Sequence, residues 1–258
     1  MIIYFANFRQ IYLFKRLYFL LFLSFFIISC SHGNTIETGH IERHGEKNPH
    51  GIKLKIANNV PSIVSDYNSR YSTFCSIRSR GRHTGLDFKA PIGQPIIAAS
   101  DGRVIRALYL SCGGNAVYIT HGRDKNGNYI GTGYTHLDKI FVQKGQLVKR
   151  GERIGTVGIS GSCASGNIPH LHFLVFKSTR KYHLGCAYIS KNARKDLPCK
   201  GKRMNPHKFW YNGKGIMSCF EKHKIYEKKM RTKFTIPVEC SKKLNKVTNT
   251  KSNRNDNE

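Results

Sequence analysis

The stretch from about residue 66 to residue 177 alternates short apolar runs with turn-forming residues, and this texture constrains the fold more than any other feature of the chain. The runs are rich in Val, Ile and Tyr, which favour β-strands, and no long helical periodicity interrupts them. Asp101-Gly102 and Asn126-Gly127 lie between such runs and are typical of hairpin turns. The sequence therefore predicts an antiparallel all-β domain.

Residues 1–30 have the composition of an export signal, with basic residues ahead of an apolar run at 17–28. The run is too short for a typical membrane span of about 20 residues. Ser29 before Cys30 resembles a bacterial lipobox, in which the cysteine is acylated and becomes the first residue of the mature protein. A plain signal peptide or a short uncleaved anchor is the alternative. In each case we expect an exported protein of the cell envelope, held there as a membrane-anchored lipoprotein if Cys30 is acylated.

The chain of 258 residues carries a formal net charge of +28, which implies attraction to polyanions. Nucleic acid, an anionic membrane face and an acidic cell-wall polymer all have the required charge. Export argues against nucleic acid, so we expect an anionic envelope surface as the partner. The eight cysteines contain no Cys-x-x-Cys spacing, and disulfides are the default outside the cytoplasm. Cys186 with Cys199 is the first candidate pair, and the connectivity of the others stays open.

Composition divides the rest of the chain into three parts. Residues 31–65 are polar and predict a solvated tether. The β-rich domain is expected over 66–212, interrupted by a basic insertion at 177–203. Residues 213–258 are lysine-rich and predict a basic, partly disordered tail.

Five side chains in three short motifs point to metal chemistry: His83, Asp87, His136, His170 and His172. Imidazole nitrogen and carboxylate oxygen are zinc ligands, and a catalytic zinc site uses three of them and leaves one position for water. His170 and His172 are two apart in a predicted strand, so they share one face at about 7 Å along the backbone. One of the pair can then bind metal while the other reaches a bound water. The pattern favours a metal-dependent hydrolase over a binding module.

Residues 83–210 resemble the lysostaphin-type zinc endopeptidases of bacterial cell walls in both the order and the spacing of their motifs. The resemblance covers about half of the chain and leaves out the tether and the tail. The motifs that carry it are His83-Thr-Gly-Leu-Asp87, Ala90-Pro-Ile-Gly-Gln-Pro, Tyr134-Thr-His136-Leu137, Gly158-Ile-Ser-Gly-Ser and Pro169-His170-Leu-His172-Phe173.

The resemblance implies a small β-sandwich-like domain, a barrel-sandwich hybrid, with an open groove that holds Zn²⁺. It implies that His83, Asp87 and His172 bind the zinc, that His170 is the general base, and that His136 stabilises the oxyanion. The implied substrate is peptidoglycan, cut at an amide bond of a stem peptide or cross-link. In a wall that contains diaminopimelate, the favoured bond would be the D-alanyl–diaminopimelate cross-link.

Two non-catalytic functions compete with this one. Some relatives of the family lose metal ligands and act as envelope lipoproteins that activate wall amidases. A secreted basic interaction protein, whose fold only presents residues 177–208, is the other. Of the remaining histidines, His121 is expected to support the fold, whereas His183, His207 and His223 stand near lysines and predict solvated side chains.

Overall fold

The computed structural model describes residues 50–57, 59–69, 82–164, 168–180 and 201–241. Within these ranges the chain forms twelve strands and two short 3-10 helices, which confirms the all-β prediction. The strands are β1 (Lys55–Ile56), β2 (Ile63–Ser65), β3 (Leu86–Lys89), β4 (Pro95–Ile97), β5 (Gly102–Leu110), β6 (Gly114–Arg123), β7 (Tyr129–Ile140), β8 (Leu147–Val148), β9 (Arg153–Val157), β10 (His170–Ser178), β11 (Lys202–Met204) and β12 (Ile216–Met217). The helices are Pro206–Lys208 and Lys228–Met230.

One antiparallel sheet contains ten of these strands, from β2 to β11. Its main path runs β2-β3-β10-β7-β6-β5-β8, while β11 pairs with β10, and β9 pairs with both β4 and β7. The short strands β1 and β12 form a separate parallel pair. Because β10 lies between β3 and β7, three segments that are distant in sequence become neighbours along one strand.

Strand β10 is buried on both of its faces. Leu171, Phe173 and Val175 point into the main hydrophobic core, as the alternation in the sequence predicts. Leu174 and Phe176 point the other way, into a second buried cluster. A strand that is packed on both sides cannot shift its side chains without opening one of the two cores.

The two predicted hairpin turns have different outcomes. Asn126-Gly127 does connect β6 and β7, and Gly127 has a φ of 75° in a turn where Asp124 accepts hydrogen bonds from the backbone. Asp101-Gly102 is not a hairpin, since β4 pairs with β9 and β5 pairs with β6 and β8. A glycine is required at position 102 for close packing, because a Cβ on Gly102 would lie 2.5 Å from the Ile119 side chain.

The boundary at residue 212 is wrong, because residues 213–241 fold onto the domain. Phe234, Ile236 and Val238 are fully buried in the main core. A disulfide between Cys219 and Cys240 closes this segment. The alternating Phe-Thr-Ile-Pro-Val string was the available signal, although it is too short to stand out among the surrounding lysines.

The predicted tether also ends too late. Ile52, Leu54 and Ile63 are buried, and β1 and β2 belong to the fold. Residues 181–200 of the basic insertion, with Cys186 and Cys199, lie outside the described residues, as does the export signal with Cys30. None of the helices in the described ranges has the length and hydropathy to cross a membrane.

Candidate metal centre and active site

Three predicted ligands meet where β3 and β10 run side by side. Asp87 on β3 and His172 on β10 are direct partners in the antiparallel register, and His83 lies in the loop before β3. That loop crosses β10 very closely, because a Cβ on Gly85 would lie 2.2 Å from the backbone oxygen of Phe173. The glycine thus lets the loop place His83 above its two partners.

The atoms of this cluster fit a metal ion. His83 Nε2 lies 3.0 Å from Asp87 Oδ1 and 2.9 Å from His172 Nδ1, and the last two atoms are 2.7 Å apart. His83 Nδ1–H donates to the Asp66 backbone oxygen at 2.7 Å, so a neutral His83 ring carries its lone pair on Nε2. Two imidazole nitrogens and one carboxylate oxygen, converging on one point, are the donor set of a catalytic zinc site.

Electrostatics hold these ligands in their metal-binding forms. Burial alone would raise the pKa of Asp87, but the nearby His83, His170 and His172 outweigh it and lower that pKa well below its ordinary value. Burial lowers the pKa of His172 to about 3 despite the adjacent carboxylate. At neutral pH the carboxylate is therefore ionised and this imidazole is neutral, as metal binding requires.

His170 opens β10 on the same face as His172. Its Nδ1–H donates to the backbone oxygen of Ile168 at 2.9 Å, which leaves the lone pair of a neutral ring on Nε2. The side chain is buried, and its ring centre lies 4.9 Å from that of His136. His170 is thus a buried imidazole that a backbone carbonyl orients. It lies next to the three-residue cluster but is not part of it.

His136 reaches the site from β7 through a distorted backbone. Thr135 and His136 together face Ala116 across the β6–β7 ladder, and His136 has a φ of 65°. Such a bulge re-aims a side chain, at a cost in backbone strain. The His136 ring lies 5.9 Å from that of His172. Burial and the neighbouring His170 lower the pKa of His136 to about 4, so its ring is neutral at neutral pH.

The loop after β9 holds His136 in place. His136 Nδ1–H donates to the Ser160 backbone oxygen at 2.8 Å, and Ser160 Oγ donates to the Leu137 backbone oxygen at 2.6 Å. The disulfide Cys112–Cys163 ties this loop to the β5–β6 turn. The sequence contained both cysteines, but their spacing of 51 residues did not suggest the pair.

Sequence reasoning missed three buried residues behind the ligands. Asp66, His207 and Trp210 are fully buried and are joined by hydrogen bonds, so the prediction of a solvated His207 is wrong. Its lysine neighbours point outward, while the 3-10 helix turns the imidazole inward. The prediction for His121 is confirmed, since it is buried and bonds to the Asp101 backbone oxygen and the Thr132 hydroxyl.

All five predicted site residues therefore converge, from three separate segments of the chain. His223 is exposed, as predicted, and His183 lies outside the described residues. The arrangement offers three metal ligands and two further imidazoles, each of which is oriented through Nδ1 by a backbone carbonyl.

Comparison with known proteins places this site in a recognised sequence family. Residues 81–184 match the family described as Peptidase family M23. The peptidoglycan DD-endopeptidase ShyB of Vibrio cholerae is 45% identical over 98 residues, which are 38% of this chain and 21% of ShyB. The murein hydrolase activator NlpD of Escherichia coli is 38% identical over 96 residues, which are 37% of this chain and 23% of NlpD. The chain thus spans about a fifth of the length of these relatives.

Two solved peptidase structures are also similar to this chain. The catalytic domain of lysostaphin from Staphylococcus simulans is 30% identical, with 48% of this chain and 84% of that chain covered and a TM-score of 0.39. A zinc-containing peptidase from Vibrio cholerae is 34% identical, with 54% and 38% covered and a TM-score of 0.38.

Proposed function

Because residues 81–184 of this chain form a Peptidase M23 domain, we propose that the protein is a zinc-dependent endopeptidase that hydrolyses amide bonds in peptidoglycan cross-links or stem peptides. The observation that carries the proposal is the convergence of His83, Asp87 and His172 beside two carbonyl-oriented imidazoles. The relatives named as peptidoglycan endopeptidases support the choice of polymer.

His83, Asp87 and His172 would hold the metal through Nε2, Oδ1 and Nδ1, the three atoms that converge. A zinc ion bound there would supply a Lewis acid for the scissile carbonyl and lower the pKa of a water to about 7. The three side chains are buried, so their ligand atoms are largely shielded from bulk solvent.

His170 is the proposed general base. The Ile168 carbonyl keeps the proton of the neutral ring on Nδ1, so Nε2 can accept a proton from the attacking water. The same nitrogen can then return the proton to the leaving amine, because an imidazole exchanges protons readily near neutral pH.

His136 is the proposed oxyanion stabiliser, and the structure adds a condition to that role. Its Nδ1–H is committed to the Ser160 carbonyl, so the neutral ring presents a lone pair at Nε2 and cannot donate to an oxyanion. If the ring takes up a second proton from solvent, Nε2–H can donate to the substrate oxygen, and the negative charge that develops there favours this charged form. We expect His136 to stabilise that charge as an imidazolium.

Purified sacculi test the proposal directly. The protein should release muropeptides of defined mass, lose this activity in a chelator, and recover it when zinc is restored. Mass analysis of the products identifies the bond that is cut. Intact sacculi after incubation with the zinc-loaded protein would contradict the proposed activity.

Activation of wall amidases is the second candidate, because NlpD is named as a murein hydrolase activator. Retention of the three ligands and both imidazoles favours catalysis, since activation alone needs no such set. An activator would release products from sacculi only when an amidase is present, and mutation of the ligands would not change that effect.

The envelope location remains part of the proposal. Acylation of Cys30 would anchor the protein, and exposed lysines such as Lys222, Lys228 and Lys229 would face the anionic surface. Cys30→Ala should move the protein from the membrane fraction to the soluble fraction. Unchanged fractionation of the variant would rule out a lipid anchor at this residue.

A further inference from the structure

A chain of buried hydrogen bonds ends on the metal ligand His83. Trp210 Nε1–H donates to His207 Nδ1 at 3.1 Å, and His207 Nε2–H donates to Asp66 Oδ1 at 3.1 Å. The backbone oxygen of Asp66 then accepts the Nδ1–H of His83 at 2.7 Å. Asp66, His207 and Trp210 are fully buried, so water does not replace any of these bonds.

The tryptophan determines where the protons of this chain lie. An indole N–H can only donate, so His207 Nδ1 must be the acceptor and must lack a proton. The remaining proton of a neutral His207 is therefore on Nε2, where it meets the Asp66 carboxylate. A doubly protonated His207 would place two N–H groups against each other at Trp210.

Asp66 depends strongly on this histidine. Its Oδ1 accepts from the Tyr67 backbone N–H at 2.6 Å and from His207, whereas Oδ2 is buried and has no hydrogen-bond partner within the described ranges. Without His207, a buried carboxylate would keep a single described donor. Because an under-satisfied buried charge is costly, we expect the Asp66 segment to move toward water in that case.

Such a movement would affect the metal site by changing which nitrogen of His83 carries the proton. The Asp66 carbonyl is a pure acceptor and keeps the His83 proton on Nδ1, which leaves the Nε2 lone pair facing Asp87 and His172. The Ser65 hydroxyl also lies 3.0 Å from His83 Nδ1, but a hydroxyl can donate as well as accept and so does not fix the proton. Loss of the carbonyl would admit the other tautomer, whose Nε2–H blocks metal binding.

We propose that Asp66, His207 and Trp210 are positioning residues for the metal site, and that they act by holding the Asp66 carbonyl against His83. The inference rests on the proposed zinc site and adds to it three residues that are not among the proposed ligands and that connect to the site through His83. Outer groups that orient a metal-binding histidine typically change metal affinity by about 10- to 100-fold when removed.

The test uses the purified protein and three variants. His207→Leu removes both hydrogen bonds of a buried histidine, and His207→Gln restores a donor and an acceptor. His121→Leu is the control, because His121 is equally buried and also makes two hydrogen bonds, to residues outside the site. Zinc affinity is measured by competition with a chromophoric chelator, the His83 tautomer by long-range ¹H–¹⁵N NMR, and folding by thermal unfolding of the metal-free protein.

We expect His207→Leu to weaken zinc binding at least tenfold and to change the His83 tautomer, with His207→Gln closer to wild type. His121→Leu should lower the unfolding temperature and leave the zinc affinity unchanged. Equal zinc affinities and an unchanged tautomer in His207→Leu would overturn the inference, and so would equal weakening by His121→Leu. A wild-type protein that binds no zinc would instead overturn the proposed function.

Discussion

Gly85→Ala tests whether the close crossing of two backbones builds the metal site. The added methyl group would lie 2.2 Å from the Phe173 backbone oxygen, 2.9 Å from its carbonyl carbon and 3.2 Å from His172 Cε1. Two of these three atoms belong to backbone that cannot swing away like a flexible side chain. The contact must open by about 1 Å to reach ordinary van der Waals separation, because carbon and oxygen rarely approach closer than about 3.3 Å.

Overpacking of this kind costs about 1–3 kcal/mol of unfolding free energy. For a domain of this size we expect the unfolding temperature to fall by about 2–12 °C, since 1 kcal/mol corresponds to about 2–4 °C. The zinc affinity should fall as well, because the displaced loop carries His83 while the clash lies next to His172. Scanning calorimetry of the metal-free protein and chelator competition measure the two effects separately.

Gly113→Ala provides the matched control. Its Cβ would lie 3.4 Å from the nearest atom, the Thr135 methyl group, which is an ordinary contact. At a compatible site, Gly→Ala stabilises by about 0.4–1 kcal/mol because it restricts the unfolded chain. A Gly85→Ala protein with the unfolding temperature and zinc affinity of wild type would refute the argument that this glycine is required for close approach.

Three further predictions test the site and its support. His172→Ala should abolish stoichiometric zinc binding, measured by metal analysis. His170→Ala should keep the zinc, while its turnover of a fluorescent peptide substrate falls by a factor of about 10²–10⁴. A His170→Ala protein that binds no zinc would contradict the role of His170 as a base that does not bind the metal. Replacement of both Cys112 and Cys163 by serine should lower turnover, because the loop that this disulfide holds supplies the carbonyl that orients His136, the proposed oxyanion stabiliser. A double serine variant with wild-type turnover would show that the loop needs no disulfide. Burial lowers the pKa of His121 from 6.5 to about 4, so the unfolded chain takes up a proton on this imidazole at a higher pH than the folded chain does. About 3 kcal/mol of unfolding free energy should therefore be lost as the pH falls from 6.5 to 4. A His121→Gln protein whose stability falls in the same way with pH, measured by calorimetry, would contradict this.

The sequence was sufficient to predict which five side chains converge, because the spacing within each motif is local. His170 and His172 share a face whenever their strand is extended, and Asp87 needs only a neighbouring strand to meet them. The register that pairs Asp87 with His172 is a long-range property, and periodicity alone does not select it. The resemblance of the motifs to a known family supplied that link where physical reasoning from one chain stopped.

Other features depended on tertiary structure that left no local signal. The bulge at His136 contains no glycine, and the burial of His207 depends on a carboxylate that lies 141 residues away. The core residues Phe234 and Ile236 were not predicted, because they lie in a short segment between lysine-rich flanks. The average composition of that region is therefore polar and charged. In each case a contact between distant segments overrode the local pattern.

The core extends well beyond the matched family region, and this limits how the catalytic unit can be transplanted. Residues 81–184 exclude Ile63, Trp210 and Phe234, which fill the centre of the main core, and they also exclude the hydrogen-bonded support of His83. A chimaera that received those residues alone would contain all three proposed ligands but would lack part of the side-chain packing of the main core. A transferable unit must therefore also carry the flanking core residues on both sides and the groups that orient His83.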